Sequence, residues 1–467
     1  MASVSGSRPN KPVPLAEAPL AYDELEGLFA PLAEASLIAL AVSGGADSLA
    51  LLDAVDRWRR PRRGPRVVVL TVDHRLRRGS GAEAAAVAKI ARARGMTARV
   101  LAWKGPRPKS DIEGAARAGR YRLLIDACRE EGATHLVLAH HRDDLAETFL
   151  LRLRRGAGVF GLAAMRPILA VGDVTIVRPL LSVPRTRLAA TIAAVKLRPV
   201  DDPMNADSRF DRARVRRLLP MLASEGLDGA SLAAAALRLA NAADAIDAVA
   251  TALLSDAVTT DVVAVAWLDV AAFAKAAAEV RMRALTRLLL AVGGDDYPPR
   301  HERLAALCDA MLGHTDGGRF KRTLARTVVE WRDGRFAFYR EGGRLGLPTV
   351  KVKAGFVDTW DHRFAVAVGK GAPAGLSLGP LGEAGRREIG AVPGTHPAGA
   401  LAALPALRRR GRVVAVPSLS AGEAFPVTVR PILLDRLSRP PLFPDLTWGR
   451  WTLFTFCRSS AFAAFPS

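Results

Sequence analysis

At 467 residues the chain is too long for one ordinary hydrophobic core, so two or three domains are expected. Half of its residues are hydrophobic and 24% are charged, a globular composition that excludes a disordered chain. Lys and Arg number 67 against 46 Asp and Glu, and the resulting charge of +21 points to a polyanionic partner, most simply nucleic acid, with a basic proteome or anionic lipid as the alternatives.

The opening MASVSGSRPNKPVPLAEAPL has no apolar run long enough for a signal peptide and reads as a flexible N-terminus over residues 1–22. A short helix is expected from Glu24 to Ala35. Leu37 to Val42 is an apolar run that breaks into Ser43-Gly44-Gly45-Ala46-Asp47-Ser48 and resumes with apolar residues at helical spacing. That pattern is a buried strand, a glycine turn and a helix start. The glycines let backbone approach a ligand, and the amides at a helix N-terminus favour an anion. A tight turn with Asp47 or Ser48 as N-cap is the structural alternative. The loop is neither a Walker loop, since no Lys-Ser or Lys-Thr pair follows the glycines, nor a dinucleotide fingerprint with three spaced glycines.

Arg57 to Arg66 is a Pro-broken basic loop, either solvated or in contact with RNA. Val67 to Val72 predicts a second strand ending at Asp73-His74, Ala82 to Arg94 a helix, Thr97 to Trp103 a third strand, and Glu113 to Glu131 another helix. His135 to Ala139 predicts a fourth strand that leads into His140-His141. A helix from about Asp143 would place Asp144, Glu147 and Thr148 on one face. Two carboxylates beside a His suit a divalent metal carrying nucleotide phosphates, whereas an acidic first turn complementing the helix dipole needs no ligand. Strands this uniformly apolar, alternating with helices, imply an α/β fold with a parallel sheet covered on both faces. Ligands of such sheets sit at the carboxyl ends of the strands, where both SGGADS and His140-His141 fall.

Arg209, Arg212, Arg214, Arg216 and Arg217 crowd a short segment, which suits phosphate contacts as well as a solvated helix face. Beyond Pro220 the pattern changes to Ala-rich amphipathic helices over Gly229 to Asp256, Asp269 to Val292 and Arg300 to Leu312. Thr323 to Arg340 reads as a hairpin around Asp333-Gly334. Short strand candidates at Asp358 to Gly369, Gly375 to Leu381 and Arg412 to Val416 follow. Expected domains are therefore an α/β domain at 23–220, a mainly helical domain with a terminal hairpin at 221–345, and a small β-containing domain at 346–467. Cys128, Cys308 and Cys457 are scattered without C-x-x-C spacing, against a disulfide framework or metal knuckle. With no long uncharged apolar run, a cytoplasmic protein without membrane attachment is expected.

SGGADS resembles the PP-loop of the ATP pyrophosphatases, whose fold is that of the adenine nucleotide alpha hydrolases. VDHRLR at 72–77, IEGAARAGRY at 112–121, the set from His140 to Thr148, RRGAGVFGLAAM at 154–165, RPLL at 178–181 and DDPMNADSRFDRARVRRLLP at 201–220 follow in the order seen in the tRNA(Ile)-lysidine synthetase family. Three departures stand out: Leu145 where the family usually has Gln, Ala157 in place of Ser, and Ala213 where Asn normally follows Arg212.

The resemblance implies ATP-dependent attachment of L-lysine to the wobble cytidine of a CAU-anticodon tRNA(Ile), through an adenylated cytidine and with ATP and Mg2+ as cofactors. It assigns Ser43, Gly44, Gly45, Ala46, Asp47, Ser48, Asp73 and His74 to the nucleotide. Catalysis falls to Asp47, Glu113, Arg117, Asp144 and Glu147, and magnesium to Asp47, Asp144 and Glu147, with the division between metal and lysine open. Arg117 and Arg120 are candidates for phosphate or for structural ion pairs. Arg212, Arg214, Arg216 and Arg217 would meet tRNA. A homodimer is an open expectation. The rival readings are a tRNA-thiolating PP-loop enzyme and a non-catalytic RNA-binding protein with a relict loop.

Overall fold

The computed structural model describes residues 18–62, 64–73, 75, 79–103, 112–200, 211–295, 298–314, 318–343, 346–390, 396–422 and 425–438, with residues 112–118 described by backbone alone. It divides into two compact units, residues 1–241 and 242–467.

The first unit is built on a six-stranded sheet. Its strands are β1 (Leu37–Ala41), β2 (Arg66–Asp73), β3 (Thr97–Ala102), β4 (His135–Val137), β5 (Ile168–Val171) and β6 (Val174–Val177), in the spatial order β3-β2-β1-β4-β6-β5. All neighbours pair in parallel except the β5/β6 hairpin at one edge. Parallel neighbours need helical crossovers. These begin with α1 (Tyr22–Phe29), which precedes the sheet, and continue with α2 (Ala46–Arg59), α3 (Ser80–Ala93), α4 (Ile112–Glu131), α5 (Arg142–Leu153), the single turn α6 (Val159–Leu162) and α7 (Arg185–Ala194).

β1 and β2 are apolar on both sides because both faces are covered. Ile38, Leu40, Val67 and Val69 join Phe29, Leu51, Val55, Val87, Leu188 and Ile192 in one core. From β1 the chain steps outward to β2 and then β3, whereas β4 lies on the other side of β1. The order therefore reverses between β1 and β4, and a crevice opens there at the carboxyl ends of the strands.

Several basic residues that read as a free loop are tied down. Arg57 pairs with Asp53 and donates to the Leu20 carbonyl, while Arg59 and Arg60 pair with the buried Asp56. α8 (Asp211–Ser224) and the start of α9 (Gly229–Ala257) close this unit. Leu232, Ala233 and Ala236 pack there with Leu145, Phe149, Met165 and Leu181. Leu145, one of the family departures, is thus fully buried among apolar neighbours.

The second unit opens with the rest of α9 and the short strands β7 (Val258–Thr260) and β8 (Ala266–Leu268). Then come α10 (Val270–Lys275), α11 (Ala278–Gly293) and α12 (His301–Leu312). The expected helix from Asp269 to Val292 is in fact two: Asp269 caps α10 through the Ala271 amide, and Ala277, extended, caps α11. β9 (Lys321–Leu324), β10 (Thr327–Arg332) and β11 (Arg335–Arg340) complete an antiparallel sheet in the order β7-β8-β11-β10-β9. Asp333 and Gly334 turn β10 into β11 with φ of 49° and 77°, the two positive values that this hairpin turn requires.

Eight further strands follow: β12 (Val350–Val352), β13 (Val357–Trp360), β14 (Phe364–Val368), β15 (Leu376–Pro380), β16 (Pro405–Arg409), β17 (Arg412–Val416), β18 (Ala421–Gly422) and β19 (Val427–Pro431). They form the sheets β12-β15-β16-β17-β18 and β13-β14-β19 around a core containing Trp360, Phe364, Leu378 and Leu407. α13 (Gly382–Ile389), α14 (Ala398–Ala402) and α15 (Leu433–Leu437) complete this unit.

Candidate active site

The crevice between β1 and β4 brings the two sequence motifs together. After β1, Gly44 takes a φ of 93°, a left-handed value that only glycine adopts freely. A Cβ there would lie 3.1 Å from Cγ2 of both Val87 and Val200. The Val200 amide donates to the Gly44 carbonyl at 2.9 Å, so the chain beyond α7 returns to brace the loop. Ser48 closes the turn from within. Its hydroxyl accepts from the Ser43 and Gly44 amides, both at 3.2 Å, and donates to the Gly45 carbonyl at 2.9 Å.

Ser43 and Gly44 therefore spend their amides inside the loop. Gly45 caps α2 without any side-chain cap, which leaves the first-turn amides from Ala46 onward for an anion. Asp47 stands in that first turn with its carboxylate turned towards β4.

Beyond β4, His141 is the N-cap of α5. It accepts from the Asp144 amide through Nδ1, and Asp144 accepts from the His141 amide in return. An Nδ1 acting as acceptor puts the proton of the neutral ring on Nε2. That atom lies 3.6 Å from Asp47 Oδ2 and 3.4 Å from Asp144 Oδ2. His141 is 1% exposed and thus a buried bridge between the two motifs.

Burial works against its charge, but Asp47, Asp144 and Asp143 outweigh it and raise the imidazole above its ordinary range. Burial likewise pushes Asp47 up, and His141, Arg185 and Arg216 more than reverse that, holding the carboxyl below the usual range. The site is thus built to keep Asp47 ionised. Among the described residues its buried Oδ1 accepts no hydrogen bond, and Arg185 Nε lies 3.9 Å from it.

Glu147, 2% exposed, is engaged differently. Arg216 of α8 reaches it with Nε at 2.5 Å and Nη2 at 3.3 Å. Burial nevertheless keeps the Glu147 carboxyl above its ordinary range. Arg216, expected at the tRNA, thus turns inward. Arg214 pairs with Asp211, which also takes Arg154 and Arg155, while Arg212 is half-buried and Arg217 exposed. Asp73, at the end of β2, accepts from Ser80 at 2.5 Å and from the Arg75 amide at 3.0 Å. Thr148 donates to the Asp144 carbonyl. Arg120 is exposed. His74 and the side chains of Glu113 and Arg117 lie outside the described residues.

Among the described residues no group of three or more His, Cys, Asp or Glu is arranged to hold a metal ion. A magnesium ion that travels with nucleotide phosphates needs only one or two protein carboxylates. Asp47, with an orphaned Oδ1, and Asp144 beside it fit that requirement. Glu147 is already held by Arg216.

Sequence reasoning missed two contributors. Arg185 follows RPLL by four positions, which was its only signal. Val200 carried none, because a backbone brace leaves no mark in side-chain type.

A PP-loop domain model matches residues 20–222. The tRNA(Ile)-lysidine synthase of Bradyrhizobium sp. (strain BTAi1) is 42% identical over 329 residues, covering 67% of this chain and 90% of that protein. The protein of the same name from Rhodopseudomonas palustris is 43% identical over 69% of this chain and 96% of its own length. That from Bradyrhizobium diazoefficiens is 44% identical over 70% and 98%. With the nucleotide loop and the His141 cap joined over one crevice and relatives of this similarity matched along nearly their whole length, the chain belongs to the tRNA(Ile)-lysidine synthase family.

Proposed function

We propose that this protein ligates L-lysine to C2 of the wobble cytidine in a CAU-anticodon tRNA(Ile), consuming ATP and releasing pyrophosphate and then AMP. The observation that carries the reading is the convergence of Asp47 and Asp144 on His141, which makes the PP-loop and the second motif one site.

The chemistry asks for two displacements. The cytosine carbonyl at C2 has no leaving group, so its oxygen first attacks the α-phosphorus of ATP. A bond from O2 to phosphorus forms as the bond from phosphorus to the β-phosphate oxygen breaks. The lysine ε-amine then attacks C2, and the C–O bond breaks to release AMP. Free amide groups at the start of α2 hold phosphate where negative charge grows, and donors fixed in advance need not reorganise. Asp47 and Asp144 would hold a magnesium ion, which supplies charge neutralisation on the phosphates. His141 is buried with Nε2 3.6 Å from Asp47 Oδ2 and 3.4 Å from Asp144 Oδ2, so its charge acts on both carboxylates. Glu147, engaged by Arg216, is not open to the lysine ammonium in this arrangement.

The thiolating alternative needs reactive sulfur. Among the described residues the cysteines are Cys128, buried with its thiol pushed up to about 12, and Cys308, buried and raised as well; Cys457 lies outside them. Thiols so protonated are poor nucleophiles. No described helix is long and apolar enough to cross a membrane.

The test is incorporation of labelled lysine into unmodified tRNA with ATP and Mg2+, comparing isoleucine and methionine tRNAs that share the CAU anticodon. Incorporation confined to the isoleucine species is expected. ATP consumption with RNA but without lysine transfer would move the second substrate to sulfur or ammonia.

A further inference from the structure

α7 has both of its ends on the nucleotide site. At its start the Arg185 amide donates to Asp143 Oδ2 at 2.9 Å, and the Arg142 amide donates to the Val183 carbonyl at 3.0 Å, which laces α7 to the beginning of α5. Beyond its end, Val200 donates to Gly44. Between these anchors α7 packs along α2, the helix that carries Asp47. The Arg185 backbone is therefore fixed relative to the PP-loop, although its side chain is half exposed.

Among the described residues the ion-pair partner of the guanidinium is Asp47, with Nε to Oδ1 at 3.9 Å, beyond direct hydrogen-bond distance. Arg216 differs, since it already spends two nitrogens on Glu147. Arg185 is thus a planar five-donor cation, half exposed beside the loop that carries Asp47, and among the described residues its side chain donates no hydrogen bond. Arginine in that state matches a phosphate in bidentate fashion.

We propose that Arg185 is a catalytic residue that grips the diphosphate end of ATP and stabilises it as it departs. This rests on the adenylating reading given above. As the bond from cytosine O2 to phosphorus forms and the bond to the β-phosphate oxygen breaks, the electron pair passes to the diphosphate, and Arg185 neutralises that charge without moving a proton. The loosely held ion pair with Asp47 is the resting arrangement that diphosphate replaces.

The decisive measurement is calorimetric titration of the full-length protein with inorganic pyrophosphate, with and without Mg2+, alongside steady-state kinetics of lysine transfer. Arg185→Ala is expected to weaken pyrophosphate binding at least tenfold and to lower kcat/KM for ATP by roughly a hundredfold, while the KM for lysine stays unchanged. Arg185→Lys, which keeps the charge but loses the fork, should recover only part of the loss. Arg185→Gln serves if the alanine variant fails to fold by circular dichroism. Unchanged pyrophosphate affinity in a folded variant would overturn the proposal, and a shift confined to the pH profile would reassign Arg185 to positioning Asp47. A wild-type protein that neither binds pyrophosphate nor exchanges it into ATP in the presence of tRNA would instead overturn the adenylating reading itself.

Discussion

One methyl group is enough to probe the nucleotide loop. Gly44→Ala must hold a side chain at a φ of 93° and push a Cβ to 3.1 Å from Val87 and Val200 at once. Backbone strain of this kind costs about 1–3 kcal/mol, and the two valines sit in or beside a packed core that gives little. The expected result is a lower thermal midpoint together with a rise of roughly tenfold or more in KM for ATP, because the displaced loop carries the amides proposed to hold phosphate. Wild-type pyrophosphate exchange by this variant would mean that loop geometry is not what binds nucleotide. The neighbouring Ser48 makes the same point from inside: its hydroxyl serves three backbone groups of the turn and is spent on structure.

At the scale of elements, the turn from β13 into β14 gives the second unit a built-in sensitivity to acid. Asp361 and His362 both adopt positive φ there, and Arg436 donates to the His362 carbonyl at 2.6 Å. Burial, aided by the positive charge of Arg436, lowers the imidazole from 6.5 to about 4. The folded state therefore refuses a proton that the unfolded chain accepts. Stability is complete above pH 6.5 and is lost progressively as pH falls towards 4, by up to roughly 3 kcal/mol. Urea denaturation across that window should show the loss, and His362→Asn should flatten it; an unchanged slope would show that His362 takes up a proton freely.

How far these elements were legible follows from what made each. β1, β2 and β4 are buried on both faces, and continuous apolar runs announced them. The hairpin of β10 and β11 was announced by alternation and Asp-Gly. β7 and β8 left no comparable signal, being three residues each, with β8 paired to β11 across a large sequence separation. The break between α10 and α11 falls within unbroken alanine-rich helical patterning, where Ala277 caps α11 with no side-chain hydrogen bond to mark it. In the site, strand ends placed SGGADS and His140-His141 over one cleft without choosing between the histidines, and the turn of Arg216 towards Glu147 is a tertiary choice. A dense run of arginines offers several cations, and sequence does not say which of them faces inward.

For the whole molecule, the surplus of +21 frames what the inward-facing arginine leaves behind. With Arg216 committed to Glu147, the remaining α8 arginines divide unevenly: Arg217 is exposed, Arg214 leans on Asp211 and Arg212 is half-buried. Replacing Arg212, Arg214 and Arg217 together by Gln should weaken tRNA binding and flatten the dependence of log K on log salt by about one unit for each phosphate no longer neutralised. A slope that stays put would assign them to structure. Arg216→Gln should act otherwise, lowering lysine transfer more than tRNA affinity, since it strips the counter-charge from a buried carboxylate.

The brace from Val200 to Gly44 turns one amide proton into a reporter. Its hydrogen bond ends on the nucleotide loop itself, so whatever fixes the loop also slows opening of that bond. Deuterium uptake at Val200 should fall when ATP is added and should change little when free lysine is added alone. The occupancy of the proposed ATP site can then be read from a backbone amide that is itself committed to the Gly44 carbonyl.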